Sequence, residues 1–218
     1  MAEMSLADGI DLLQRRAKIV KFLLAGGFVV IAAVLAGQIA ELLGYVSLDE
    51  SVELTGASGL YAIVGMADGV LTLVTTVFFA MWIYRAAANV VAADVAGFAY
   101  TPGWAVGWYF IPFANLFKPF SAMRQIWNAS HGEQGERLDH AEGLLALWWG
   151  CWIASNIASN ISFRMTFNPS SSESLLMGQQ VGLVASAVSL VLYPAAYRLV
   201  GRITEAQRAR LNAAHIFA

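Results

Sequence analysis

Charge is scarce in this sequence, and so are cysteine and proline. Of 218 residues only 13% are charged while 58% are hydrophobic, and the mean hydropathy is +0.60. A soluble domain carries roughly 25% charged and roughly 45–50% apolar residues, so both figures lean toward a chain embedded in lipid. Lys and Arg number 13 against 15 Asp and Glu, a net charge of −2, which offers no basic excess for a nucleic acid. The single cysteine, Cys151, excludes an intrachain disulfide and any Cys-based metal cluster. It stands in an apolar run, where a thiol is ordinarily inert. His131, His140 and His215 are scattered through polar segments without ligand spacing, so neither metal nor cofactor is expected. GxSxG, HExxH, a phosphate-cradling glycine loop and a close carboxylate pair are also missing, and no enzyme is expected.

What the chain does have is long apolar blocks. A membrane-spanning helix needs about 20 mainly apolar residues, and four segments qualify: Phe22–Gly44, Leu60–Tyr84, Gly143–Phe163 and Leu175–Tyr197. The expected fold class is therefore all-α and integral to a membrane, with one polytopic domain over 22–200. The first span is expected to remain uncleaved, since Glu3, Asp8 and Asp11 precede it and its apolar run is too long for a signal peptide. With the N-terminus inside, 12 of the 13 Lys and Arg fall on the inner face, all but Arg164, as the positive-inside rule requires. The outer loops would then be Tyr45–Gly59, with Asp49, Glu50 and Glu53, and Arg164–Ser174.

Three of the five prolines stand in one stretch, TPGWAVGWYFIPFANLFKPF, residues 101–120. Pro112 and Pro119 remove amide donors and disfavour helix at Ile111 and Lys118. A full crossing here would put Arg124, Arg137 and the C-terminal tail outside, against the charge rule. The stretch therefore begins and ends on the cytoplasmic side. It is either a re-entrant half-helix turning near Ala114 and Asn115, or an interfacial hairpin anchored by aromatic side chains; broken backbone at membrane depth must be buried by protein or line a wet cavity.

Before the first span, residues 1–21 carry Leu6, Ile10, Leu13, Ala17 and Val20 at helical steps, with Ser5 as a cap candidate and Asp8 in the first turn. This amphipathic helix lies on the membrane surface or packs on the protein's own cytoplasmic parts. Residues 201–218 form a cytoplasmic tail continuing the fourth span. Ser121–Ser130 reads as a short helix, followed by a polar surface loop. Within the spans, polar groups are costly and mark candidate sites. Asp68 stands in the second span, and Asn156, Asn160 and Arg164 recur at steps of four in the third. Asp68 is expected to pair with Arg164 or Asn160, either as glue between helices or as an ion or ligand site.

At FFAMWIYRAAANV, at the W-x-V-G-W-Y-F-I-P-F-x-N-L-x-K-P-F run and at LVGRITEAQRAR, the chain resembles a bacterial family of polytopic membrane domains known only as a domain of unknown function. The residues matching that family are Trp82, Arg85 and Asn89, then Trp108, Pro112, Asn115, Pro119 and Trp127. The resemblance spans about Leu60 to Arg210, and implies a multi-pass protein of the bacterial cytoplasmic membrane with no assigned activity. Two functions fit. One is a scaffold or sensor whose aromatic-basic surface, with Lys118 and Arg124, engages anionic lipid, a cytoplasmic protein or a second copy of itself. The other is a small oligomeric channel or transporter using the Asp68/Asn160/Arg164 stripe.

Overall fold

A computed structural model describes residues 4–46, 56–132 and 142–216. The described residues form helices joined by short turns and irregular stretches, with no strand. Six helices follow in chain order: α1 Leu6–Leu42, α2 Gly56–Ala92, α3 Pro102–Gly107, α4 Lys118–His131, α5 Glu142–Phe167 and α6 Ser172–Ile216. The acidic part of the first outer loop and most of the polar loop after His131, including Arg137, Asp139 and His140, lie outside the described residues.

Three helices are long and apolar enough to cross a membrane: α1, α2 and α6. The segment expected as the third span is helical, as α5 with 26 residues, but is not among the helices apolar enough to cross. Trp148, Trp149, Trp152, Asn156 and Asn160 lower its hydropathy without adding charge.

The chain divides into two compact units. The first comprises Met1–Phe22, Thr75–Trp149 and Ala196–Ala218. Here the beginning of α1 is no separate surface helix, because it runs unbroken into the span. Ser5 caps it, its hydroxyl accepting from the Asp8 amide at 3.2 Å and donating to the Asp8 carboxylate at 2.6 Å. The expected apolar stripe is buried by protein, with Ile10, Leu13, Ala17 and Val20 all in the core. The tail behaves likewise: α6 continues without interruption, and Leu199, Val200, Ile203 and Gln207 are buried. α2 ends at Ala92, a few residues short of Gly97, as the chain turns through a positive φ at Asp94.

Pro119 begins a helix where the sequence suggested a break. It occupies the first turn of α4, where its missing N–H is no loss. α4 ends at Gly132, whose left-handed backbone lets its N–H close on the Asn128 carbonyl at 2.8 Å.

The second unit comprises Leu23–Val74 and Gly150–Ala195. Its helices pack through missing side chains: a Cβ at Gly37 would strike the Tyr61 ring, and one at Gly27 the Tyr193 ring. Close approach of this kind is how helices associate where burial from water supplies no drive. The Tyr61 hydroxyl then donates to Glu41 at 3.1 Å, and the Gln179 amide donates to the same carboxylate at 3.2 Å. Gly37→Val should therefore destabilise the detergent-solubilised protein by about 1–3 kcal/mol through overpacking. Thermal unfolding would measure this, and an unchanged midpoint would mean that the Tyr61 ring does not lie on Gly37.

Candidate functional site

The site is built in the first unit, from α2 outward. Trp82, Arg85 and Asn89 lie on one face of α2 at steps of three and four, and all three are buried. The Trp82 indole N–H donates to the Thr204 hydroxyl at 3.0 Å. The Asn89 amide donates to the Gln207 side-chain oxygen at 3.0 Å and to the Gly9 carbonyl at 3.3 Å. Gln207 in turn donates to the Ala86 carbonyl at 3.0 Å and to the Ser130 hydroxyl at 3.1 Å, and Ser130 donates to Ile126 O at 2.6 Å. One neutral network thus joins α1, α2, α4 and α6.

Arg85 enters this core as a cation, 9% exposed. Its Nη1 meets the Met4 sulfur at 3.1 Å, and its buried Nε has no partner among the described residues. Burial, and then the neighbouring Arg16 charge, pull its pKa below the ordinary value. Arg16 is held by the Met81 carbonyl at 2.6 Å.

Above the network lies the proline-broken stretch. Thr101 caps α3, its hydroxyl accepting from the Trp104 amide at 3.3 Å. Two short 3₁₀ turns follow, Trp108–Phe110 and Ala114–Leu116. Between them Ile111 is extended, as its neighbour Pro112 requires. The reversal falls at Phe113, with φ 62 and ψ −44, and the Ala114 amide reaches back to the Pro112 carbonyl at 2.7 Å. This is a γ-turn of the rarer, strained kind. Asn115 belongs to the turn through its amide, which donates to Ile111 O at 2.9 Å. The stretch is tied to α5 by the Trp149 indole N–H, which donates to the Leu116 carbonyl at 3.2 Å, and by Tyr109 edge-on to the same ring. Burial pushes the Tyr109 phenol well above its ordinary pKa, so it stays neutral.

The side chains this turn holds outward are apolar. Phe110, Phe113 and Phe117 are 75%, 83% and 70% exposed. Beside them, Tyr100, Thr101, Trp104, Trp108, Lys118 and Gln125 line a cleft of about 280 Å³. Trp104 and Trp108 lie 4.8 Å apart between centroids, and the Lys118 ammonium sits 5.6 Å over the Trp108 ring. Arg124 is on α4, partly buried, outside the cleft. Trp127 points into the core and stacks on His131 at 4.0 Å.

The four polar residues expected inside the membrane, all in the second unit, do not assemble as expected. Asn156, Asn160 and Arg164 do share a face of α5, but all three are exposed. The Asn156 and Asn160 amides bond back to Trp152 O and Asn156 O of their own helix, each at 2.8 Å. Asp68 keeps a buried carboxylate oxygen without a partner among the described residues, and lies near Tyr193 instead. Among the described residues, no cluster could hold a metal ion.

Sequence reasoning missed Gln207, Thr204, Ser130, Thr101 and Gln125. Gln207 had a signal: it continues the apolar series Leu199, Ile203 one turn further, so a polar group was falling on a buried face.

A family profile for a domain of unknown function, DUF4328, matches residues 47–205. The chain belongs to that family. The DUF4328 range takes in Trp82, Arg85, Asn89, the broken stretch and α4, whereas Gln207 lies just past its end. Comparison with curated proteins and with solved structures finds no match.

Replacing Gln207 by Leu takes one of two acceptors from the Asn89 amide, which keeps the Gly9 carbonyl, and the Gln207 donor from the Ala86 carbonyl, and should cost about 1–3 kcal/mol. The double variant Asn89→Leu/Gln207→Leu should cost less than the sum of the single changes, since both belong to one network. Strict additivity in thermal unfolding would disprove the coupling.

Proposed function

We propose that this DUF4328 chain is a four-span protein of the bacterial cytoplasmic membrane, with both termini inside, acting as a scaffold or sensor rather than an enzyme. The observation that carries the reading is the outward set of Phe110, Phe113 and Phe117 beside Lys118, held by a backbone broken into short helical turns. Large apolar patches on a surface mark interaction sites. Aromatic rings flanked by a lysine suit the boundary between acyl chains and anionic headgroups. The stretch is thus read as an interfacial hairpin at the inner face. α5 serves as the fourth span, which keeps the charge asymmetry intact.

The channel or transporter reading has less support, because Asn156 and Asn160 bond back along α5, Arg164 is exposed, and Asp68 keeps a carboxylate oxygen without a partner among the described residues.

Topology decides between them. In a Cys151→Ala background, Phe113→Cys should react with a membrane-impermeant maleimide in inverted vesicles and not in intact cells. Labelling from the outside would mean that the stretch crosses the bilayer, and the reading would fail.

A further inference from the structure

We infer that the cleft between α3 and α4 is a binding site for a phosphate-bearing anion, of the kind a lipid headgroup presents. This deepens the proposed function and rests on the hairpin lying at the inner membrane face. The argument is a count of what the cleft's polar groups have left to give. Gln125 accepts the Ala99 backbone N–H through its side-chain oxygen at 2.9 Å. That bond fixes the orientation of the carboxamide, because a backbone N–H needs an acceptor, and its NH₂ remains as a donor. Thr101 spends lone-pair capacity on the Trp104 amide at 3.3 Å and keeps its O–H. Lys118 can only donate. The Trp108 indole N–H, which has no partner among the described residues, is closed off from solvent, so Trp108 offers the cleft its ring and not its donor. No carboxylate lines the cleft. Lys118, Gln125 and Thr101 thus turn donors toward a cleft that no carboxylate lines, and an anion suits it.

A cationic headgroup is disfavoured by the same geometry. The face of Trp108 that would receive a quaternary ammonium is occupied by the Lys118 ammonium, and Trp104 leans on its neighbour rather than opening a cage. Size points the same way. About 280 Å³ is at the small end for organic ligands, which occupy roughly 300–1,000 Å³. A phosphate with its immediate substituent fits; acyl chains would have to stay outside, where Phe117 adjoins Lys118.

The test titrates the full chain, in a neutral maltoside detergent, with short-chain phosphatidylglycerol, short-chain phosphatidylcholine, glycerol 3-phosphate and inorganic phosphate, reading bound adducts by native mass spectrometry. Phosphatidylglycerol should saturate one site, and Lys118→Gln should weaken it about tenfold, the scale of one charge-assisted hydrogen bond. Gln125→Glu keeps the bond to Ala99 but places a carboxylate against the anion, and should weaken binding at least as much. Arg208→Gln, an exposed charge on α6 outside the cleft, should leave affinity within about twofold. Binding by the soluble phosphates with the same sensitivity would assign the site to a free phosphate ester; their failure beside phosphatidylglycerol would assign it to a headgroup. Equal affinity for phosphatidylcholine, or wild-type affinity in both Lys118→Gln and Gln125→Glu, would overturn the inference. If Phe113 faces the cytoplasm while these variants bind normally, only the cleft is lost. If Phe113 faces outward while they lose binding, the cleft stands and the topology falls.

Discussion

The carboxamide of Gln207 is the point from which the first unit takes its order. In one buried position it meets the side chain of Asn89, the carbonyl of Ala86 and the hydroxyl of Ser130. Apolar contact alone gives little register, because a leucine face can slide by a turn at small cost. A carboxamide cannot slide without abandoning several bonds together. Its neutrality matters too. A buried ion pair must offset the desolvation of two charges, whereas amides and hydroxyls carry no such penalty once satisfied. Register then propagates. Thr204, one turn before Gln207, receives the Trp82 indole; Ser130, near the end of α4, fixes that helix, and with it the line of Lys118 and Gln125 that floors the cleft.

The broken stretch is stable for a related reason. Every proline removes one donor that would need a partner, and the remaining amides close locally: Asn115 to Ile111, Ala114 to Pro112, Phe117 to Ala114. Trp149 adds a bond to Leu116 from α5. The segment thus satisfies its backbone without forming a long helix, at the expense of a strained Phe113. Strain at that position holds a phenylalanine outward, on the apex of the turn.

How much of this the sequence disclosed differs between the two units, and the difference is physical. In the first unit, helix faces divide water and lipid from core, so the stripe of Leu6, Ile10, Leu13, Ala17 and Val20 announced a buried face. Trp82, Arg85 and Asn89 were marked only by the family resemblance, and the structure then set them on one buried face of α2. Gln207 was readable as the stripe was, as a polar residue in an apolar series. In the second unit that contrast vanishes, since a helix in lipid is apolar all round. Asn156, Asn160 and Arg164 could be placed on one stripe, but nothing local said whether the stripe looked inward. A short polar side chain in such a helix can also bond the carbonyl four residues back, which removes the need for a partner that the pairing with Asp68 assumed. The turn at Phe113 was hidden for another reason: phenylalanine is a poor residue for positive φ, so only the tertiary context could place it there.

The phenylalanines and the cleft divide the work that the proposed membrane face requires. Each buried aromatic ring contributes about 1.5–3 kcal/mol, whereas a lysine near anionic headgroups adds about 1 kcal/mol. Three rings therefore outweigh Lys118 in deciding whether the hairpin enters the interface. They cannot choose a headgroup, because hydrocarbon is the same beneath all of them. Choice falls to the smaller term, to the donors of Lys118 and Gln125 that α4 carries and of Thr101 before α3. An interface tuned in this way holds any bilayer and recognises only some, as a sensor of lipid composition requires.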